Sequence, residues 1–205
     1  VRTRSIAAFI AAVAGLALAG GDNPRVLLRT EAGDIVVEVD FARAPITAAN
    51  FLRYVDAGRY DGSTFHRTVT MANQPDNLIR IEVVQGGQLP GSKEFPPIVH
   101  ETTAATGLKH LDGTISMARD GPGTATSSFF ICIHDQPELD FGGRRNPDGQ
   151  GFAAFGHVVA GMDVVRGIQA RPARGQQLTP PVKIISIRRI DTSPKHVQKD
   201  QGGIP

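Results

Sequence analysis

The feature that most constrains this chain is the shortness of its apolar runs. Each lasts only a few residues before a turn cluster interrupts it, and 23 Gly and 14 Pro in 205 residues supply the interruptions. Runs of this length are too short for a helical domain and suit strands bounded by tight turns. Eight segments read this way: 26–30, 34–39, 63–69, 79–85, 113–119, 127–133, 155–159 and 182–190. Two stretches break the pattern. Pro45 opens a helix at its first turn that runs to about Tyr54 or Asp56, with Ile46, Ala49, Leu52 and Val55 on one side and Gly58 as its C-cap. A shorter helix is predicted over 162–169. Short strands with one early and one late helix predict a mainly β fold, a closed eight-stranded antiparallel barrel capped by two helices. A two-sheet sandwich shares the same strand pattern.

The N-terminal segment is of another kind. Arg2 and Arg4 precede an unbroken apolar run, Ile6–Ala19, which ends on the small-x-small pattern Ala17-Leu18-Ala19. A basic start, an apolar run shorter than a membrane span and a small-residue cut site predict a signal peptide over 1–19. The expected organisation is a linker over 20–25, one domain over 26–191, and a polar, disordered tail over 192–205. The product is expected to be exported, periplasmic or otherwise extracytoplasmic, with no stable membrane insertion once the leader is removed. Loss of Arg2 and Arg4 leaves basic and acidic residues in balance, so the charge gives no argument for nucleic acid binding. The single cysteine, Cys132, lies in the apolar run FFICI and reads as core. The six histidines show no HExxH or similar spacing, so no metal is expected. Asn146, Asp148 and Gly149 read as a turn, lacking the acidic series of a calcium loop. No nucleophile elbow, phosphate loop or dinucleotide fingerprint is present, and no cofactor is expected.

One strand carries chemistry. In Ser63-Thr64-Phe65-His66-Arg67, neighbouring side chains on a pleat point to opposite faces, so His66 and Arg67 cannot share one role. The motifs that follow, in order, are VVQGG, GTISMA, SSFFICI, then LD and FGHVVAGMDVV. This ordered set resembles the cyclophilin family of peptidyl-prolyl cis-trans isomerases, from about Val26 to Ile190. The resemblance implies an eight-stranded barrel with a helix at each end and an outer groove for prolyl peptides. It implies cofactor-free isomerisation of X-Pro bonds; with the predicted leader, the expected substrates are exported proteins, and the chain is expected to be a monomer.

It also implies roles. Arg67 is the catalytic donor and Gln85 its neighbour that holds the substrate backbone, while His66 turns away to structure. Phe130 is the floor of the proline pocket and Leu139 an apolar wall, and Ala118 offers a backbone contact. Five further positions of the expected substrate-binding set depart from the family's usual residues. Glu82 and Val83 stand where Phe and Met are usual, Arg119 where Asn is, Ser128 where Gln is, and Phe152 where His is. Glu138 replaces an aromatic that is often Trp. Loops 68–80 and 141–151 are longer than usual. A charged Glu82 in the pocket would either oppose burial of a proline ring or pair with Arg67. The alternative reading is therefore a catalytically weak or inactive peptide-binding module or chaperone with the same groove.

Overall fold

A computed structural model describes residues 23–190; the predicted leader and the tail beyond Ile190 lie outside the described residues. β1 (Arg25–Thr30) and β2 (Gly33–Val39) form the first hairpin, followed by α1 (Pro45–Asp56), β3 (Thr64–Val69) and β4 (Val83–Gly86). A one-turn α2 (Thr103–Thr106) precedes β5 (Thr114–Met117), β6 (Phe129–Cys132) and β7 (Ala153–Ala160). Then come α3 (Met162–Gln169), a two-residue β8 (Ala173–Arg174) and the long β9 (Gln177–Ile190). The order β1-β2-β7-β5-β6-β4-β3-β9 is antiparallel throughout, and β9 pairs back onto β1. That last pairing closes an eight-stranded barrel and excludes the sandwich.

Strand periodicity sorts the apolar residues into two bodies. On β4, β5 and β6 the residues Val84, Ile115, Met117, Phe129 and Ile131 point into the barrel. Their neighbours Val83, Phe130 and Cys132 form a separate cluster with Val69, Ile81 and Leu139 on the outer face. The interior is aromatic toward α1, where Phe51 lies 5.7 Å edge-on to Phe129 and 5.0 Å from Phe155. Burying a side chain such as Phe51 contributes roughly 1.5–3 kcal/mol, so this contact fixes α1 over one barrel end. α3 docks Val165 and Ile168, and its Val164 packs over Gly33. A Cβ on Gly33, whose φ is 133°, would lie 2.8 Å from Val164.

The observed elements differ from the expected ones where side chains compete for the backbone. α1 has the predicted span, but Ile46 and Ala49 are exposed. The buried face is Thr47, Ala48, Phe51, Tyr54 and Val55, because the two large aromatics set the stripe. Its N-terminus has no local cap; Glu101 accepts from Ile46 N at 3.1 Å and from Thr47 N and Oγ1, both at 2.6 Å. The strand expected over 79–85 begins only at Val83. Buried Gln74 satisfies Ile81 instead, donating to its carbonyl at 2.8 Å and accepting from its N–H. The strand expected over 127–133 contracts to β6, and Thr126 and Ser127 hydroxyls turn to Glu94. α2 adds a helix to the two predicted, started by Thr102 and ended by Gly107 in the left-handed region.

Gly156 of β7 lies against β2 so closely that a Cβ would sit 2.3 Å from the Glu38 carbonyl oxygen. Gly156→Ala is expected to destabilise the fold by about 1–3 kcal/mol. Urea unfolding reads this as a lowered midpoint; an unchanged midpoint would show that β2 and β7 have room to part.

Candidate active site

The site begins at a break in β3. Phe65 pairs with Gly86 and Arg67 with the adjacent Gln85, so β3 carries an extra residue there. On a regular pleat Phe65 and Arg67 would share a face. The bulge lets Phe65 enter the core while Arg67 turns outward beside Gln85. His66, inside the bulge, is half-buried and does not line the groove. Burial pushes its imidazole below the ordinary value despite the Thr64 carbonyl, which favours the proton.

Arg67 is held by amides. Its Nη1 donates to Gln85 Oε1 at 2.8 Å, and its Nε and Nη2 donate to Gln176 Oε1 at 2.9 and 2.5 Å. Gln85 Nε2 in turn donates to Ser128 Oγ at 3.1 Å. A guanidinium has five N–H donors, so this clamp leaves two for a ligand. Burial, followed by repulsion from Arg145, lowers the Arg67 pKa, yet a guanidinium remains charged at any working pH. Neutral partners orient that charge without cancelling it.

Beside Arg67 lies a groove of about 570 Å³ with an apolar pocket. Phe130 forms the floor and Phe152 stands edge-on to it, ring centroids 5.2 Å apart. Ile81, Val83, Leu139 and Ala118 complete the wall. Beneath the floor, His110 stacks on Phe130 at 6.1 Å and 17°. His110 Nδ1 lies 2.8 Å from Asp140 Oδ1 and Nε2 lies 3.0 Å from Ser116 Oγ. His110 and Ser116 are wholly buried, so this Ser-His-Asp set is a brace with no access for a substrate carbonyl. Among the described residues, no group of three His, Cys, Asp or Glu could hold a metal ion.

The sequence profile of the cyclophilin type peptidyl-prolyl cis-trans isomerases matches residues 25–189, nearly all of the barrel. The chain belongs to the cyclophilin family. It is similar to a peptidyl-prolyl cis-trans isomerase of Streptomyces antibioticus, 39% identical over 80% of this chain and 96% of the relative. It is also similar to peptidyl-prolyl cis-trans isomerase B of Escherichia coli, 39% identical over 70% of this chain and 83% of the other. A crystal structure of a Cryptosporidium parvum cyclophilin superposes with a TM-score of 0.64 over 82% of this chain and 98% of that one. At 21% identity that likeness is one of fold. The chain is thus an isomerase of X-Pro bonds built on the cyclophilin barrel.

Within this cyclophilin, Arg67, Gln85, Phe130, Val83, Ala118, Arg119, Ser128, Leu139 and Phe152 all line the groove. Glu82 is the correction. Its Oε2 lies 2.9 Å from His134 Nδ1, away from both the pocket and Arg67, because Val83 takes the outward place in β4. The apolar wall expected at Glu82 is supplied by Ile81, presented by Gln74. Arg119 lines the groove but is spent on the 141–151 loop. It donates twice to the Gly151 carbonyl, at 2.8 and 2.6 Å, and binds both Asp148 oxygens at 2.7 and 2.9 Å. That pairing holds the Asp148 carboxyl down to about 2, so the clamp persists at any working pH. Gln176, Ile81, His110 and Arg145 went unmarked in the sequence. Gln176 lies 109 residues from Arg67 in a turn, with no local signal.

His110→Ala would leave the buried Ser116 hydroxyl without a partner, take the imidazole bond from Asp140 and open space below Phe130. The expected cost is about 2–3 kcal/mol by urea unfolding. Burial pushes His110 below its ordinary value, although its bonds to Asp140 oppose this. The unfolded imidazole therefore binds a proton first as pH falls through about 6.5. The wild-type protein gains stability with rising pH below that point, and H110A should lose part of this slope. An unchanged slope and midpoint would remove the brace.

Proposed function

We propose that Arg67 is the catalytic residue of this isomerase, acting on a proline ring seated on Phe130. The amide clamp on the guanidinium carries this reading. Rotation about an X-Pro bond faces a barrier of about 18–20 kcal/mol from amide resonance. As the bond twists, conjugation is lost and the prolyl nitrogen becomes pyramidal, gaining a lone pair. A planar amide nitrogen offers no such acceptor, so an N–H of Arg67 bonds the twisted form more strongly than the ground state. Stabilisation confined to the transition state raises the rate, and about 1.4 kcal/mol of it is tenfold. Gln176 and Gln85 hold the donor in place beforehand, which avoids reorganisation during rotation. Gln85 and the backbone at Ala118 supply polar contacts for the peptide, while Phe152, Leu139, Val83 and Ile81 enclose the ring.

The Cryptosporidium parvum relative has also been crystallised in the presence of the dipeptide Ala-Pro, with a TM-score of 0.65 to this chain. A relative of the same fold studied with a prolyl dipeptide supports a prolyl peptide as the ligand here. Glu82, one of the departures behind the alternative of a weak or inactive module, faces His134 and is not among the residues lining the pocket.

The clients of the reading are unfolded or partly folded exported polypeptides, with the enzyme working as a monomer outside the cytoplasm. The basic start and apolar run of residues 1–19 support the location outside the cytoplasm.

Arg67→Ala should lower kcat/KM on an Ala-X-Pro-Phe-type peptide at least tenfold, measured by NMR exchange, with circular dichroism unchanged. A rate equal to wild type would remove Arg67 from the mechanism. Expression of the full chain in a bacterium should yield an extracytoplasmic product whose N-terminal sequencing starts just after Ala19. A product retained inside the cell with residue 1 intact would overturn the export reading.

A further inference from the structure

The groove lining extends beyond the proline pocket and is not uniform in charge. Past Ser128 lie the carboxylates of Glu94 and Asp120. Past Leu139 and Ile81 lies Arg145, carried by the long 141–151 loop. The ion pairs within that loop leave Arg145 out. Glu138 accepts from Arg144 Nη2 at 2.7 Å and from Arg144 N at 2.8 Å, and Asp148 is bound by Arg119. Arg145 Nη1 donates to the Ile79 carbonyl at 2.6 Å, and among the described residues no carboxylate pairs with it. Burial is the one cause that moves its pKa, downward, whereas Glu138 raises that of Arg144. Arg145 also repels Arg67.

A half-buried guanidinium facing a cavity without a counter-ion is a desolvation cost that an anionic ligand would relieve. The Ile79 carbonyl fixes its position but adds no negative charge. Glu94 and Asp120, which also line the groove, would repel the same anion, so its attraction is confined to the surroundings of Arg145.

We infer that Arg145 is a specificity-determining residue: it favours prolyl peptides that carry a carboxylate within two residues of the proline, on the flank that leaves the pocket past Leu139. This rests on the groove being the isomerase site, as above. The carboxylate is either an Asp or Glu side chain or the peptide's own C-terminus.

The test is a set of matched X-Pro peptides with Glu, Gln or Lys, either directly after proline or two residues before it. A further pair ends one residue after proline as a free acid or an amide. NMR exchange gives kcat/KM, and chemical-shift titration gives Kd. Wild type should prefer Glu over Lys on one flank by about fivefold at low salt. That ratio should fall toward one in 0.5 M salt and in Arg145→Gln, with Arg145→Lys keeping part of it. A free acid preferred over its amide, and losing that preference in R145Q, would identify the C-terminus as a carboxylate source. Equal rates for Glu and Lys peptides on both flanks, with no preference for the free acid, would overturn the inference. So would a preference that R145Q leaves intact. If no peptide is turned over, the isomerase reading of the groove fails, while the Kd ratios still decide the role of Arg145.

Discussion

Everything in this molecule depends on the pairing of β9 with β1. Closure gives each of the eight strands two neighbours and gives the sheet two separate faces. The inner face is filled by aromatic and branched side chains and capped by α1 and α3. The outer face over β3, β4, β5 and β6 is then free to carry a second apolar body, with Phe130 at its centre. A rigid floor follows from this arrangement, because Phe130 is backed by strands that cannot move without disturbing the core. The same closure makes glycine necessary at Gly156, where two strands approach too closely for any side chain.

The polar part of the site follows a rule of satisfaction without neutralisation. Arg67 is held by Gln85 and Gln176, and Gln85 by Ser128, all of them uncharged. A carboxylate in either glutamine's place would hold the guanidinium more firmly but compete with the developing lone pair for its charge. Below the floor the rule differs. There His110 joins Asp140 to Ser116 in a buried network with no ligand to serve, and every member finds a partner. The residues resemble a hydrolytic triad, but burial of the serine leaves them a structural role.

Long loops change the groove by recruiting residues that would otherwise face the peptide. Arg119 is taken by Gly151 and Asp148, which ties the 141–151 loop over Phe152. The loop in return delivers Arg145 to the groove wall. On the other side Gln74 folds the 70–82 segment back on itself and presents Ile81 as a wall. Both loops are placed by long polar side chains that reach backbone carbonyls and carboxylates, which is why their geometry follows no periodic pattern.

The mainly β class, the succession of strands along the chain and the span of α1 were legible because each rests on local chemistry: alternation, turn residues and a proline at a helix start. The ordered motifs likewise marked which residues gather around Arg67. That the strands close into a barrel and not a sandwich was decided by the pairing of β9 with β1. Other features came from partners distant in sequence. The bulge that aims Arg67, the Gln176 half of its clamp, the turning of Glu82 to His134 and the exposure of Ile46 all depend on what lies opposite each residue once the barrel closes. Periodicity states which face a side chain takes on a regular strand or helix. Only the tertiary structure decides where that regularity is broken, because a bulge or a long-range hydrogen bond draws its free energy from neighbours that adjacent residues do not specify.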